Sequence, residues 1–328
     1  MEERPFTLTR PDGELIRGEV RIPSDGEHPN PEGVPNTAVV ILHGFKGFRR
    51  WGFFPHLARS LAAAGHAVIT FDFSLNGVGA GGRDFDELEA FARNTFTREL
   101  DEVAQVVEAL EGGDLPAPVP DRIGLLGHSR GGGTAILAAA ELESSVDALV
   151  SWAAVATFDR WGEEVKNEWR ERGRIHIPNA RTGQDMPLDI GLLEDLERNR
   201  DRLDILAAAG RVAAPWCIIH GTDDESVSAE DAEQLHAAAP GAELELISGA
   251  GHTFGATHPF QDQPAHLAAA IGRTRAHFEQ ALTVGASSRP TGSSPSGRHG
   301  RTSQGPLRSA SSSTDSEPGK VRSDTDEI

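Results

Sequence analysis

The chain has 328 residues, 38% of them hydrophobic, and its 50 acidic and 31 basic side chains give a formal charge of −19. That length allows one large α/β domain or two small ones, and that charge excludes partners met by a basic surface, nucleic acid and anionic membrane alike. A single cysteine, Cys217, excludes an intrachain disulfide, and no apolar run approaches the ~20 residues that span a bilayer.

Phe6 to Pro23 alternates apolar and polar residues around Pro11-Asp12-Gly13, which predicts an antiparallel hairpin. Thr37 to Leu42 predicts a buried strand entering His43-Gly44. Trp51 to Ala64 predicts a helix ended by Gly65, and His66 to Phe73 the next buried strand. Helical spacing of Leu100, Val103, Val106, Val107 and Leu110 predicts a helix over Thr95 to Leu110. A strand at Arg122 to Leu126, a small-residue helix at Gly132 to Leu142 and a strand at Ala148 to Trp152 follow.

Thr157 to Arg211 is too long for an ordinary strand–helix connection and predicts a small cap insertion, about 157–211. It holds a charged helix (Trp161 to Arg172), an extended Ile175-His176-Ile177, a turn at Thr182-Gly183 and a helix over Leu192 to Ala209. The remaining elements are a strand at Pro215 to Ile219, a helix at Ala229 to Ala239, a strand at Ala242 to Ile247 and a helix at Pro264 to Leu282. Strands alternating with helices after a hairpin predict an α/β fold, a mostly parallel central sheet with helices on both faces. The domain is expected to span 1–285. Residues 286–328, rich in Ser, Gly, Pro, Arg and Asp, are expected to be a disordered tail. The charged start, Met1-Glu2-Glu3-Arg4-Pro5, lacks an apolar signal core, so the expected location is the cytoplasm. Lysine occurs only at Lys46, Lys166 and Lys320. An acid-rich, lysine-poor chain fits a salt-loving bacterium, and a GC-rich genome gives the same bias.

Gly127-His128-Ser129-Arg130-Gly131 follows an apolar strand and opens a helix. That is the setting of a nucleophile elbow, a sharp turn that pushes a serine hydroxyl clear of the sheet. An acid loop, His220 to Val227, follows the strand at 215–219, and His252 lies in the glycine-rich Ser248 to Phe254 loop after the next strand. The order Ser, Asp, His belongs to α/β-hydrolases and not to the chymotrypsin or subtilisin folds.

On His43 to Gly47, Gly127 to Gly131, His220 to Val227 and Gly251 to Phe254, the chain resembles the α/β-hydrolase superfamily. It looks most like dienelactone-hydrolase-like serine hydrolases, close to cinnamoyl and feruloyl esterases. The resemblance covers about Phe6 to Leu282. It implies that Ser129 is the nucleophile, His252 the base, and the acid an aspartate four positions after the histidine of His-Gly. Asp224 and Val227 fit that pattern; the adjacent Asp223 remains the alternative. The oxyanion donors are expected to be the backbone N–H groups of Phe45 and Arg130. Dienelactone hydrolases proper carry a cysteine at the elbow, whereas here Cys217 lies within a strand and is expected to be an inert core thiol. The implied activity is therefore cleavage of small or aromatic carboxylic esters through an acyl-enzyme, with no cofactor and no metal. The partner is a small-molecule ester; the oligomeric state stays open. A peptidase or acylaminoacyl-type hydrolase, a thioesterase, and a catalytically silent binding scaffold are the alternatives.

Beside these residues, His43 is expected to support the oxyanion loop. Arg130 either attracts a substrate carboxylate together with Lys46 or pairs with an internal acid such as Asp72 or Asp84. Trp51, Phe53, Phe54, Trp152 and Phe158 either line a pocket or pack the core. The Gly77 to Gly82 run lacks the following helix of a dinucleotide loop and is expected to be a flexible loop at the site.

Overall fold

The computed structural model describes residues 1–23 and 36–284, so the tail expected over 286–328 lies outside the described residues. In chain order the first half comprises β1 (Glu2–Thr9), β2 (Leu15–Ile22), β3 (Thr37–Leu42), α1 (Phe54–Ala63), β4 (Ala67–Asp72), α2 (Leu88–Ala92), α3 (Phe96–Gly112), β5 (Arg122–His128), α4 (Arg130–Glu141) and β6 (Ala148–Trp152). The second half comprises α5 (Glu163–Arg172), β7 (Arg174–Asn179), β8 (Gln184–Asp189), α6 (Ile190–Arg198), α7 (Ile205–Ala209), β9 (Trp216–Gly221), α8 (Ala229–Ala238), β10 (Glu243–Ile247) and α9 (Ala265–Phe278).

Strand alternation builds two cores on one sheet. In β3, Ala38, Val40 and Leu42 enter one cluster while Val39 and Ile41 enter the other. β9 divides likewise, with Trp216 and Ile218 on one side and Cys217 and Ile219 on the other. Successive side chains of a strand point to opposite faces, so a strand covered on both faces must be apolar throughout. The apolar stripes of α3 and α4 join the first cluster, and those of α1 and α9 the second. The sheet order is β1-β2-β4-β3-β5-β6-β9-β10. β1 pairs antiparallel with β2, and β2 with β4; every later pairing is parallel.

Four details depart from the expected elements. The helix expected over Leu192 to Ala209 is two helices: Asp204 accepts a hydrogen bond from the Ala207 N–H and starts α7 anew. The extended piece at Ile175 to Ile177 belongs to an antiparallel hairpin whose second strand, β8, sequence reasoning missed; α2 was missed as well. The glycine run at Gly77 to Gly82 is fastened, with Gly79 N–H donating to Asp86 Oδ1 at 2.8 Å and Glu87 N–H to Gly77 O at 3.0 Å.

Candidate active site

Ser129 leaves β5 with φ 58° and ψ −124° and heads α4. Positive φ is unfavourable for a residue with a side chain, by ~1–3 kcal/mol, and persists only where the surroundings impose it. Here the Ser129 N–H donates to Trp152 O at 2.9 Å, and Ser129 O accepts from the Gly132 N–H at 2.9 Å. A Cβ on Gly127 would lie 2.1 Å from Gly131 O, and one on Gly131 would lie 2.4 Å from His43 O. Only glycine lets strand, turn and helix approach that closely. A serine in this position ordinarily caps the helix, yet the Ser129 side chain makes no capping bond, which leaves its hydroxyl for other chemistry.

The two candidate acids separate cleanly. Asp224 is buried; its Oδ2 accepts from His252 Nδ1 at 2.8 Å and its Oδ1 from the N–H groups of Ser226 and Val227, each at 2.9 Å. Asp223 is exposed and accepts from its neighbour Thr222 Oγ1. Burial pushes the Asp224 carboxyl up, but hydrogen bonds from His220 and His252, the charge of His252 and the Val227 N–H together hold it well below the usual carboxylate range. The pair therefore offers a permanent anion behind a half-buried imidazole.

Two histidines that sequence reasoning left without a role complete this frame. His128, directly before Ser129, donates from Nε2 to the backbone O of His252 at 2.9 Å, with ring centroids 4.7 Å apart. Burial, reinforced by the positive charge of His252, lowers its pKa to about 3, so it is a neutral donor at physiological pH. It ties the elbow to the His252 loop. His220 donates from Nε2 to Val227 O at 2.8 Å and stands 3.4 Å from Asp224 Oδ2. Both belong to motifs visible in the sequence, but which carbonyl each ring would reach depends on the fold. His43 behaves as expected of a supporting residue. Burial lowers its pKa to about 4, its Nδ1 donates to Gly44 O at 2.9 Å, and its Nε2 accepts from the Phe73 N–H at 3.3 Å.

The loop after β3 runs against the elbow: a Cβ on Gly44 would lie 2.9 Å from Ser129 Cβ. This brings Phe45 and Arg130 together, and the Arg130 guanidinium lies 4.5 Å from the Phe45 ring centroid. Arg130 does pair with an internal acid, but with Glu99 of α3, 2.8 Å away, and not with Asp72 or Asp84. Asp72 instead holds Arg49 of the loop after β3 through the side chain and, at 2.7 Å, the backbone N–H. Lys46 donates to Pro178 O of β7 at 3.1 Å, Gln184 of β8 to Phe85 O at 2.9 Å, and Arg174 forks onto Glu89. The β7–β8 hairpin is thus fastened to the loop after β3 and to the segment around α2. Phe53, Phe54, Trp152 and Phe158 are core residues, while Trp51 is partly buried.

Among the described residues, Cys217, Glu243 and His277 bring possible metal ligands within 4.8 Å of one another. Glu243 is already paired with Arg273, whose charge opposes a second cation, and burial pushes the Cys217 thiol up to about 11, leaving it protonated at neutral pH. Such a set is poorly prepared to bind a metal ion. No helix among the described residues is long and apolar enough to cross a membrane.

The family model for the alpha/beta hydrolase family matches residues 39–271. 2,6-dihydropseudooxynicotine hydrolase of Paenarthrobacter nicotinovorans is 27% identical over 209 residues, which cover 60% of this chain and 46% of that protein. The chain spans about half the length of the curated relatives it matches. A putative hydrolase from Agrobacterium vitis S4 superposes with a TM-score of 0.65 at 23% identity, covering 85% of this chain and 99% of the other. Est1E from Butyrivibrio proteoclasticus gives 0.61 at 17% identity, with 85% and 98% covered. At such identities these two structures speak for the fold.

Proposed function

The chain belongs to the alpha/beta hydrolase family, and from that premise we propose that it is a serine hydrolase cleaving carboxylic esters of small or aromatic acids through an acyl-enzyme, without a cofactor. The observation that carries this reading is the 2.8 Å hydrogen bond between buried Asp224 and half-buried His252, whose loop His128 ties to the elbow where Ser129 is held in an otherwise unfavourable turn. Ser129 attacks the ester carbonyl while His252 takes its proton from the hydroxyl. Asp224 holds the Nδ1–H tautomer and stabilises the imidazolium. The backbone N–H groups of Phe45 and Arg130 receive the oxyanion, each such donor typically being worth ~3 kcal/mol of barrier. His252 then returns the proton to the leaving alcohol, and water repeats the sequence on the acyl-enzyme.

The proposed acyl class draws support from structural relatives. Est1E has been solved with ferulic acid bound, and a dienelactone hydrolase from Anabaena variabilis superposes with a TM-score of 0.56 at 19% identity. Residues 157–211, carrying α5, the β7–β8 hairpin, α6 and α7, are read as the cap, and the cytoplasm as the setting.

Turnover of 4-nitrophenyl acetate and covalent labelling of Ser129 by a fluorophosphonate test the reading. Ser129→Ala should abolish labelling and lower kcat by about a thousandfold or more. Retention of more than about a hundredth of wild-type kcat would sink the mechanism. Thioester and peptide-amide panels rank the other acyl-transfer chemistries, and absence of any turnover would favour the silent scaffold.

A further inference from the structure

We propose that Glu99 and the side chain of Arg130 are positioning residues that fix the two oxyanion donors, the N–H groups of Phe45 and Arg130, relative to each other. This rests on the serine-hydrolase reading given above. The two donors come from different segments, the loop after β3 and the first residue of α4. Their strands are paired up to Leu42↔Gly127, but Phe45 lies three residues beyond that pair. Backbone contacts hold the two segments edge to edge. The side chains add a second tie: the guanidinium of one donor residue lies 4.5 Å from the ring centroid of the other and 5.3 Å from that of Phe96. Glu99, from a third segment, receives Arg130 Nη2 at 2.8 Å on the same Oε1 that accepts Asn94 Nδ2 at 2.7 Å.

Stability does not explain this arrangement. The Arg130 and Glu99 side chains are 13% and 4% exposed, and a buried ion pair is often no better for the fold than apolar side chains of the same volume. Two of its polar atoms, Arg130 Nε and Asn94 Oδ1, are buried with no partner, which adds a further penalty. A pocket built to recognise a substrate carboxylate would leave the guanidinium charge unpaired, whereas Glu99 Oε1 already holds one arm of it here, through Nη2. What the pair does uniquely is neutralise the Arg130 cation and immobilise it against the ring of the other donor residue, Phe45. Donors held in place before reaction stabilise the transition state without reorganising, and a misplacement of about an ångström lowers the rate about a hundredfold.

The test uses the full chain and substitutions that keep both backbone N–H groups: Arg130→Met, Glu99→Gln, Phe45→Leu and the Arg130→Met/Phe45→Leu and Arg130→Met/Glu99→Gln double variants. Arg130→Met should lower kcat on 4-nitrophenyl acetate about 10- to 100-fold with KM within about twofold, and weaken phenylboronic acid, which binds as a tetrahedral adduct, in parallel. Its melting temperature should fall, because it leaves the buried Glu99 carboxylate unpaired; in the Arg130→Met/Glu99→Gln double variant the melting temperature should recover while kcat and boronate affinity stay low, an outcome a merely structural pair would not give. Phe45→Leu should cost kcat alone but little more in the Arg130→Met background, because the stack is then already gone. Should Arg130→Met fail to fold, Glu99→Gln and Phe45→Leu must show the same loss of kcat and boronate affinity at unchanged KM. Wild-type kcat and boronate affinity in the folded variants, on an enzyme whose Ser129 is labelled by fluorophosphonate, would overturn the clamp alone. A wild-type protein that is neither labelled nor active would overturn the hydrolase reading and the clamp with it.

Discussion

At the scale of single residues, geometry decides between two neighbouring carboxylates. Asp224 accepts three hydrogen bonds, from His252, Ser226 and Val227, with His220 Nε2 a further 3.4 Å neighbour, while Asp223 faces solvent. Only a carboxylate fixed in this way can choose the imidazole tautomer. Asp224→Asn should therefore lower kcat by about a thousandfold or more, as loss of the tautomer-setting acid does elsewhere, while Asp223→Asn leaves it near wild type. Steady-state kinetics on one ester decide it, and the reverse ranking would mean that the acid is assigned to the wrong residue. The register was legible beforehand only because the family pattern counts four positions from His220. The residues alone offered two adjacent aspartates and a glutamate. No such pattern exists for Arg130, whose partner Glu99 lies 31 positions away on another element. The expected partners, Asp72 and Asp84, were acids of the right type in the wrong place. Charge pairing over that separation is written in how α3 packs on α4, which no local spacing encodes.

At the scale of elements, strands buried on both faces were the easiest to read. A continuous buried run such as Thr37 to Leu42 has the length of a strand and is too short for a core helix. The break between α6 and α7 was not readable. Leu192, Leu193, Leu196, Leu203 and Leu206 keep a helical apolar rhythm across it, and neither glycine nor proline marks the stop. β8 was invisible for the opposite reason: Gln184 to Asp189 is polar, contains Pro187, and becomes a strand by pairing with β7. The elbow, by contrast, is dictated by its glycines. A Cβ on Gly131 would meet His43 O at 2.4 Å and Leu42 O at 2.7 Å, both backbone atoms that cannot rotate away. Gly131→Ala should destabilise the fold by about 3 kcal/mol or more and remove activity. Gly272, exposed within α9 with nothing within 4 Å of its Cβ position, is the contrast. Gly272→Ala should raise stability by up to about 1 kcal/mol, since it removes unfolded-state freedom without a clash. Urea midpoints of the two variants separate a steric requirement from a general effect of losing glycine; equal shifts would contradict the close approach at the elbow.

At the scale of the whole molecule, buried neutral imidazoles make the fold sensitive to acid. His43, His66 and His128 each start from an ordinary value of 6.5, and burial in every case, with nearby positive charge, lowers them to about 4, 4 and 3. His43 lies near Arg130 and Arg49, His66 near Arg275, and His128 near His252 and His220, with the opposing Asp224 charge too weak to offset burial. The unfolded chain takes up these three protons as pH falls through 6.5; the folded chain refuses them until pH 4 or below. Folding is therefore favoured fully above 6.5, and its free energy declines as pH drops through the window between the unfolded and folded values. Each histidine contributes a slope of about 1.4 kcal/mol per pH unit once its unfolded form is fully protonated, so the three together can remove about 4 kcal/mol per unit. Against a total stability of ~5–15 kcal/mol, that slope brings the protein close to unfolding between pH 5 and pH 4, by the same order-of-magnitude reckoning. The low value of Asp224 works in the same direction, because its stabilising ionisation is lost only as pH falls further. The urea midpoint should hold from pH 8 to pH 7 and then fall steadily to pH 4.5, within the ~5–8 range of maximal stability and below it. His66 lies apart from the elbow and bonds the Thr37 hydroxyl at 2.6 Å, so His66→Gln can keep a polar partner for that hydroxyl while removing one titration. The slope should then fall by about a third, in keeping with one proton of three. A midpoint that does not move between pH 7 and pH 4.5, or a slope that His66→Gln leaves unchanged, would show that these imidazoles already carry their protons inside the fold.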